Sequence, residues 1–306
     1  MRATPTCIAI AGVTGKLGTL IASYLLDTTE ATVHGFCRSP EKIEKSLTDR
    51  PSRFKVFSGS ALSVEDAQKA ITGCSTVICA YNRMDFQLMV NSSKVLIEAC
   101  DAEGVGRFIA SDFTLDFRAL HRGDLPPMDA HIAVWEYLRQ GNENGTIQVK
   151  AVHVLVGIFV EAFFGVFFNP KEPKYWGTGN ETIDFVSYKS AAEYAARVAN
   201  DPDEPTGFVK LVDFKATMNE IATAIGRIKG DGSPLPLLHQ GSMSEAKEQV
   251  RALAGTDTPW HQHISLLSMY YFQTPEFQLG DDLDNHRYPG VKKISLDDAV
   301  KEFVNY

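Results

Sequence analysis

Residues 8–18 read IAIAGVTGKLG, an apolar run of strand type that breaks into three glycines. Leu20, Ile21, Leu25 and Leu26 follow at helical spacing. A glycine turn between a strand and a helix aims backbone N–H groups and the positive helix end at an anion, and a pyrophosphate fits that cradle. Gly12 allows the tight bend, Gly15 lets the backbone approach the phosphates, and Gly18 lets the helix pack close to the strand. Thr14, Lys16 and Leu17 complete the expected cradle. The spacing is G-x-x-G-x-x-G, not the G-x-G-x-x-G of many dinucleotide turns, so context decides: first strand, glycines, first helix. An ordinary strand–helix turn is the plain alternative.

The end of the second strand discriminates the cofactor. An acid about 20 residues past the glycines would hold the ribose hydroxyls of NAD, whereas an arginine accommodates the 2′-phosphate of NADP. Residues 34–42 read HGFCRSPEK, with Arg38 at that place and no acid there. A guanidinium pairs bidentately with a phosphate, and Lys42 adds a charge one turn later. NADPH/NADP+ is the expected cofactor, with NADPH bound much more tightly than NADH. A solvated surface arginine is the alternative.

Outward from this turn the chain alternates. Strands are expected at Cys7–Ala11, Thr32–Cys37, Phe54–Ser58, Thr76–Ala80, Phe108–Ser111 and Ile147–Leu155, each short and nearly continuously apolar, as in strands covered on both faces. Helices are expected after the glycines and at 39–47, which opens Ser-Pro-Glu. Others fall at 63–71, where Ser63 precedes Asp66 by three as in a capping box, at 86–105 ending near Gly104, and at 127–141 ending at Gly141. This is an α/β chain with a Rossmann-type doubly wound parallel sheet. After Gly157 the alternation weakens into loop, hairpin and short strand (167–188), a helix (189–201), a strand (206–213) and further helices (217–230, 242–256, 258–274). The expected division is 1–156 for an NADP-binding domain and 157–306 for a small α+β, mainly substrate-binding region packed intimately on it.

Of 306 residues, 44% are hydrophobic and the net charge is −8, which argues against a nucleic-acid partner and against a polybasic membrane anchor. The most apolar later stretch, 152–168, is interrupted by Gly157, Glu161 and Gly165, too broken for a membrane span. The first residues, MRATPTCIAIAG, show no targeting segment. The five cysteines are odd in number and mostly in apolar surroundings, so they are expected to be reduced and buried, in a cytoplasmic protein. No metal site is expected. His261 and His263 point apart if helical, and Asp281, Asp282 and Asp284 lack the EF-hand spacing. His153 reads as a hydrogen-bonded core or cofactor-edge residue.

The chain resembles the NmrA-like and isoflavone-reductase-like branch of the atypical short-chain dehydrogenases, in its fungal form. Five segments carry the resemblance: AGVTGKLG (11–18) with CRSPEK (37–42); GRFIASDF (106–113); PMDAHIAVWEYLR (127–139); LVGIFVEAFFG (155–165) with residues 175–202; and DNHRYPGVKKISLDDAVKEFV (284–304). The resemblance implies an extended Rossmann domain that binds NADPH. It implies that Ala80, Tyr81 and Asn82 line the dinucleotide, that Ser111, Asp112 and Phe113 lie near the nicotinamide, and that Val156, Gly157 and Ile158 close over its ring. One departure stands out. No Tyr-x-x-x-Lys occurs in the helix after strand five, and where the isoflavone-reductase group has a lysine early in that helix, His131 stands instead. An imidazole there can donate a proton or bond the ribose, or it can be a helix residue facing a groove. Asp112 is the second candidate for handling the proton, or else a carboxylate that orients its neighbours.

Phe159, Phe163, Phe164, Phe167 and Phe168 form an aromatic run joined by Tyr175 and Trp176. Core packing is expected for most, with Phe159, Phe163, Tyr175 and Trp176 as candidate substrate walls. The expected function is an NADPH-dependent reductase acting on a carbonyl, imine or conjugated carbon of an aromatic or polyketide-like small molecule, in secondary metabolism. Two alternatives stay open: a non-catalytic NADP(H)-binding redox sensor of NmrA type, and a redox-neutral isomerase or cyclase. The oligomeric state is not set by the sequence.

Overall fold

Apolar runs of four to six residues become strands where helices cover both faces. The computed structural model describes residues 6–82, 85–230, 232–253 and 259–304. In it β1 (Cys7–Ala11), β2 (Thr32–Cys37) and β3 (Phe54–Ser58) occupy their expected ranges, and β4 (Thr76–Cys79), β5 (Arg107–Ala110) and β6 (Lys150–Leu155) lie within a few residues of theirs. With a further strand, Gly207–Lys210, beside β6, the order runs β6-β5-β4-β1-β2-β3. β1 pairs in parallel with both β2 and β4. Connections therefore leave β1 in opposite directions on its two sides, and a crevice opens at the strands' C-terminal ends, the usual ligand position in such sheets.

The helices are α1 (Lys16–Thr28), α2 (Lys45–Thr48), α3 (Val64–Ile71), α4 (Phe86–Ala102) and α5 (Asp129–Asn144). The Ser63 hydroxyl accepts the Asp66 N–H at 3.1 Å, and Asp85 caps α4 through the Leu88 N–H. α5 runs past Gly141, whose missing side chain leaves room for Ile147. That glycine is a packing site and not a stop. The expected helix at 39–47 is interrupted: Pro40–Lys42 form one 3-10 turn without a side-chain cap from Ser39, and Ile43 and Glu44 are extended before α2.

Two compact units emerge, Met1–Phe113 with Ala130–Val154 and Ala191–Val209, and Thr114–Asp129 with Leu155–Ser190 and Lys210–Tyr306. The boundary expected between 156 and 157 falls two residues after the change of unit between Val154 and Leu155. Arg107 explains the return of 191–209 to the first unit. Its buried guanidinium donates to the carbonyls of Val198 (3.1 Å) and Ala199 (2.8 Å), the last residues of the helix Tyr188–Ala199. Arg107→Met is expected to lower the unfolding free energy by about 2 kcal/mol, because two helix-end carbonyls lose a charged donor; denaturant unfolding measures it.

In the second unit, Phe214–Thr217, Thr182–Val186 and Ile158–Phe159 form a three-stranded sheet. The helix Met218–Lys229 starts at a reciprocal Thr217–Glu220 capping box. Its core includes Phe163, Phe185, Ile221, Ile225 and Val300. The expected helix at 242–256 is Met243–Leu253, and that at 258–274 is a 3-10 turn, Trp260–His263, leading into Ile264–Gln273. Residues 254–256 and 258 of those expectations, like residues 1–5, lie outside the described residues. Among the described residues no helix is long and apolar enough to cross a membrane.

Candidate functional site

The three glycines take distinct parts. Gly12 has φ +89°, and a Cβ there would sit 2.8 Å from the Ala80 carbonyl oxygen, so a side chain is excluded by both conformation and contact. Its N–H donates to Phe36 O at 2.9 Å, and Ala80 N–H donates to Ala11 O at 2.8 Å, which ties the turn to the ends of β2 and β4. A Cβ on Gly18 would collide with the Gly12 carbonyl, so this glycine seats α1 under the turn. At Gly15 a Cβ would meet only Gly12 O, at 3.3 Å. Gly15 is also the N-cap of α1 and supplies no side-chain cap, so the positive end of the helix faces the turn, as an anion site requires.

A cavity of about 320 Å³ opens over this turn. Gly12, Thr14, Gly15, Arg38 and Lys42 line it, as do Ala80, Tyr81 and Asn82, the turn after β4. Lys16, Leu17 and Gly18 belong to α1 and do not line it. Phe36, Cys37, Gly59 and Ala61 are walls that the sequence reading missed. A signal existed for the last two: they follow β3 as Gly12 follows β1 and Ala80 follows β4, and the C-terminal ends of adjacent parallel strands share one crevice. Backbone donors on one side and two cations on the other fit a phosphorylated dinucleotide.

At the next strand the chain turns sharply. Phe113 has φ +42°, an uncommon conformation for a residue with a side chain, and its N–H donates to Val154 O at 2.9 Å. Ser111 Oγ donates to Tyr81 O at 2.6 Å, joining the turns after β4 and β5. Asp112 is thereby held between two imidazoles, His153 Nδ1 of β6 at 2.6 Å and His131 Nδ1 of α5 at 3.4 Å. The ring of His153 stacks on Phe208 with centroids 4.8 Å apart. His131 is the more open of the pair, its side chain 16% exposed against 4% for His153.

Burial pushes the Asp112 carboxyl up, but the charge of His153 and the hydrogen bonds of both histidines outweigh it and hold the pKa below the usual carboxylate value. A buried, ionised acceptor of this kind orients imidazoles and stabilises their protonated form. Asp112 thus contacts both imidazoles, the arrangement that an orienting carboxylate needs. Its stability contribution is present above the unfolded Asp value of ~3.9 and is lost as pH falls through the lower folded value. Asp112→Asn is expected to be less stable than the parent at neutral pH and to lose less on acidification between about pH 5 and pH 2, as read from unfolding curves across that range.

In the second unit, Val156 and Gly157 donate to Thr114 O at 2.9 and 3.1 Å. Gly157 has φ +73°, and a Cβ there would lie 2.6 Å from that of Asp184, so it serves close packing on Thr182–Val186. Phe159 is half-buried and stacks on Tyr188 at 4.0 Å. Tyr175 is half-buried and Trp176 buried. Phe163 is fully buried against Phe164, Phe168 and Phe185. It lies in the core of the second unit. Among the described residues, neither His261 and His263 nor Asp281, Asp282 and Asp284 join a metal-competent group.

Residues 12–140 match the family model described as NAD(P)H-binding. Oxidoreductase ptaF of Pestalotiopsis fici is 36% identical over 80 residues, 25% of this chain and 30% of that protein. Oxidoreductase nsrR of Aspergillus novofumigatus is 29% identical over 83 residues, 26% of this chain and 31% of that protein. Each match thus spans under a third of the relative's length. Solved structures share the fold almost end to end. AtPrR2 with NADP+ and (+)pinoresinol has a TM-score of 0.77 at 21% identity, covering 99% of this chain and 100% of that one. An isoflavone reductase has 0.76 at 22%, covering 98% and 100%. The NADPH-dependent quinone oxidoreductase QOR2 of Escherichia coli, complexed with NADPH, has 0.72 at 18%, covering 97% and 100%.

Proposed function

We propose that this protein is an NADPH-dependent reductase of a small aromatic or polyketide-like molecule, a reading supported by the match of residues 12–140 to the NAD(P)H-binding family model and by the fold shared with an isoflavone reductase. The carrying observation is the cavity in which the glycine turn, Arg38 and Lys42 converge. Bound there, the dinucleotide supplies a hydride. Gly12 and Gly15 present backbone to its pyrophosphate, while Arg38 and Lys42 pair with the 2′-phosphate. Thr14, Lys16 and Leu17 belong to the same cradle, and Gly18 backs it. Ala80, Tyr81, Asn82, Ser111 and Phe113 continue the proposed cofactor surface, and Val156 and Gly157 remain proposed contacts on the resemblance.

His131 is the proposed proton donor to the substrate atom that gains negative charge. Asp112 holds its ring and stabilises the imidazolium, a division of labour that needs the two residues in contact, as they are. Phe159, Tyr175 and Trp176 are the proposed aromatic contacts, suited to a flat, largely apolar substrate. A place in secondary metabolism and a cytoplasmic location belong to the same proposal.

Incubation with NADPH and a panel of aromatic ketones, enones and imines tests it by loss of reduced-nicotinamide absorbance. Substrate-dependent oxidation is expected. Product formed without oxidation assigns a redox-neutral isomerase or cyclase instead, and tight cofactor binding with no turnover across the panel assigns a non-catalytic NADP(H) sensor.

A further inference from the structure

At the end of β1 remote from Gly12, three side chains of the first unit gather that the cofactor cavity does not use. Cys7 opens β1, His34 lies in β2, and Cys74 stands two residues ahead of β4. The Ser75 N–H donates to Cys7 O at 2.9 Å, which fastens the approach to β4 against the start of β1. The two sulfurs are 2.7 Å apart, about 0.7 Å more than a disulfide bond of ~2.05 Å. His34 Nδ1 lies 2.8 Å from Ala70 O and 3.4 Å from Cys74 Sγ. A carbonyl only accepts, so this nitrogen carries its proton, and the ring is held against Phe57 at 4.8 Å. Cys7 is half-buried while Cys74 and His34 are buried, so solvent reaches the pair through Cys7.

We propose that Cys7 and Cys74 are a reversible dithiol–disulfide couple, oxidised by a small-molecule disulfide of the glutathione type, with Cys7 attacking and Cys74 resolving.

The same three groups also lie within 4.8 Å of one another, a spacing that admits a metal ion. The observed arrangement favours the couple. Tetrahedral zinc with bonds of ~2.3 Å would hold two thiolate sulfurs roughly 3.8 Å apart, farther than they are, and His34 Nδ1 is committed to Ala70. The thiols are also unequal. The hydrogen bond from Cys74 outweighs burial and, with His34, lowers the pKa of Cys7, while the same contact raises that of Cys74. A low-pKa, accessible thiol beside a buried partner is the usual form of an exchange site.

The exchange balances. The Cys7 thiolate attacks one sulfur of RS–SR, breaking its S–S bond and expelling one RS⁻. Cys74 then loses its proton and attacks Cys7 Sγ, expelling the second RS⁻. The protein dithiol loses two electrons, the small disulfide gains them, and the two thiol protons end on two RSH. A cellular thiol pool reverses it.

The test uses the full chain, reduced and then equilibrated in buffers spanning reduced to oxidised glutathione. It is quenched with a maleimide and digested without reductant for mass mapping. A peptide pair joining Cys7 to Cys74 is expected, lost on adding dithiothreitol, with Cys37, Cys79 and Cys100 remaining alkylated. In Cys74→Ser, Cys7 is expected to stop at the glutathione mixed disulfide; in Cys7→Ser, Cys74 is expected to stay a free thiol. NADPH binding by each variant reports that it is folded, and mapping of the unaltered chain decides even if a variant is not. Absence of the joined peptide at the oxidised end overturns the proposal. So does preferential glutathionylation of Cys74 in Cys7→Ser, or stoichiometric zinc in the purified chain that Cys7→Ser abolishes.

Discussion

Arg38→Ala is expected to weaken NADPH binding about a hundredfold while changing NADH binding less than about threefold. Arg38 follows β2, lies exposed at the cavity wall and shares it with Lys42. Charge-assisted hydrogen bonds contribute about 1.5–3 kcal/mol, and each 1.4 kcal/mol is a factor of about ten in Kd. A forked pair of such bonds to one phosphate reaches the upper part of that range, since removing the guanidinium leaves the phosphate with water and Lys42 alone. NADH lacks the 2′-phosphate and never draws on this interaction, which is why the ratio of the two affinities is the informative quantity. Lys42→Ala, a point charge without the fork, is expected to cost about tenfold. Titration of both cofactors by calorimetry checks the pair; equal losses for NADPH and NADH would remove Arg38 from 2′-phosphate recognition.

His131→Ala is expected to lower kcat about a hundredfold on any panel substrate that turns over, with the Kd for NADPH unchanged. Positioned proton transfer contributes roughly 10²–10⁴ in rate, and the alanine removes the half-open ring that Asp112 orients. Asp112→Asn is expected to lower kcat as well, because an amide neither stabilises the imidazolium nor fixes its tautomer as a carboxylate does. Pre-steady-state and steady-state rates, measured beside cofactor affinity, separate chemistry from binding. An unchanged kcat in His131→Ala would assign the proton to another donor and leave His131 as a groove residue.

The parallel sheet was legible because its signals are local. A strand covered on both faces must be apolar along its length, and β1 and β4 stand within a residue of where their side chains put them. Gly12 was equally plain from its place between an apolar strand and a helical period, and the structure adds that its conformation and its contact with Ala80 exclude any other residue. Helix ends were less so. Gly141 looks like a stop in one dimension, yet its bare Cα makes room for Ile147.

Sequence alone determined the strand–helix alternation, the glycine cradle and the cation at the end of the second strand, because each depends on neighbours along the chain. Only tertiary structure decided that Phe163 is core, that 191–209 returns to the first unit through Arg107, and that Asp112 lies buried between His131 and His153. Those outcomes depend on which distant residues share a low-dielectric interior. Burial and charge pairing there set whether a carboxylate carries a proton or only directs one.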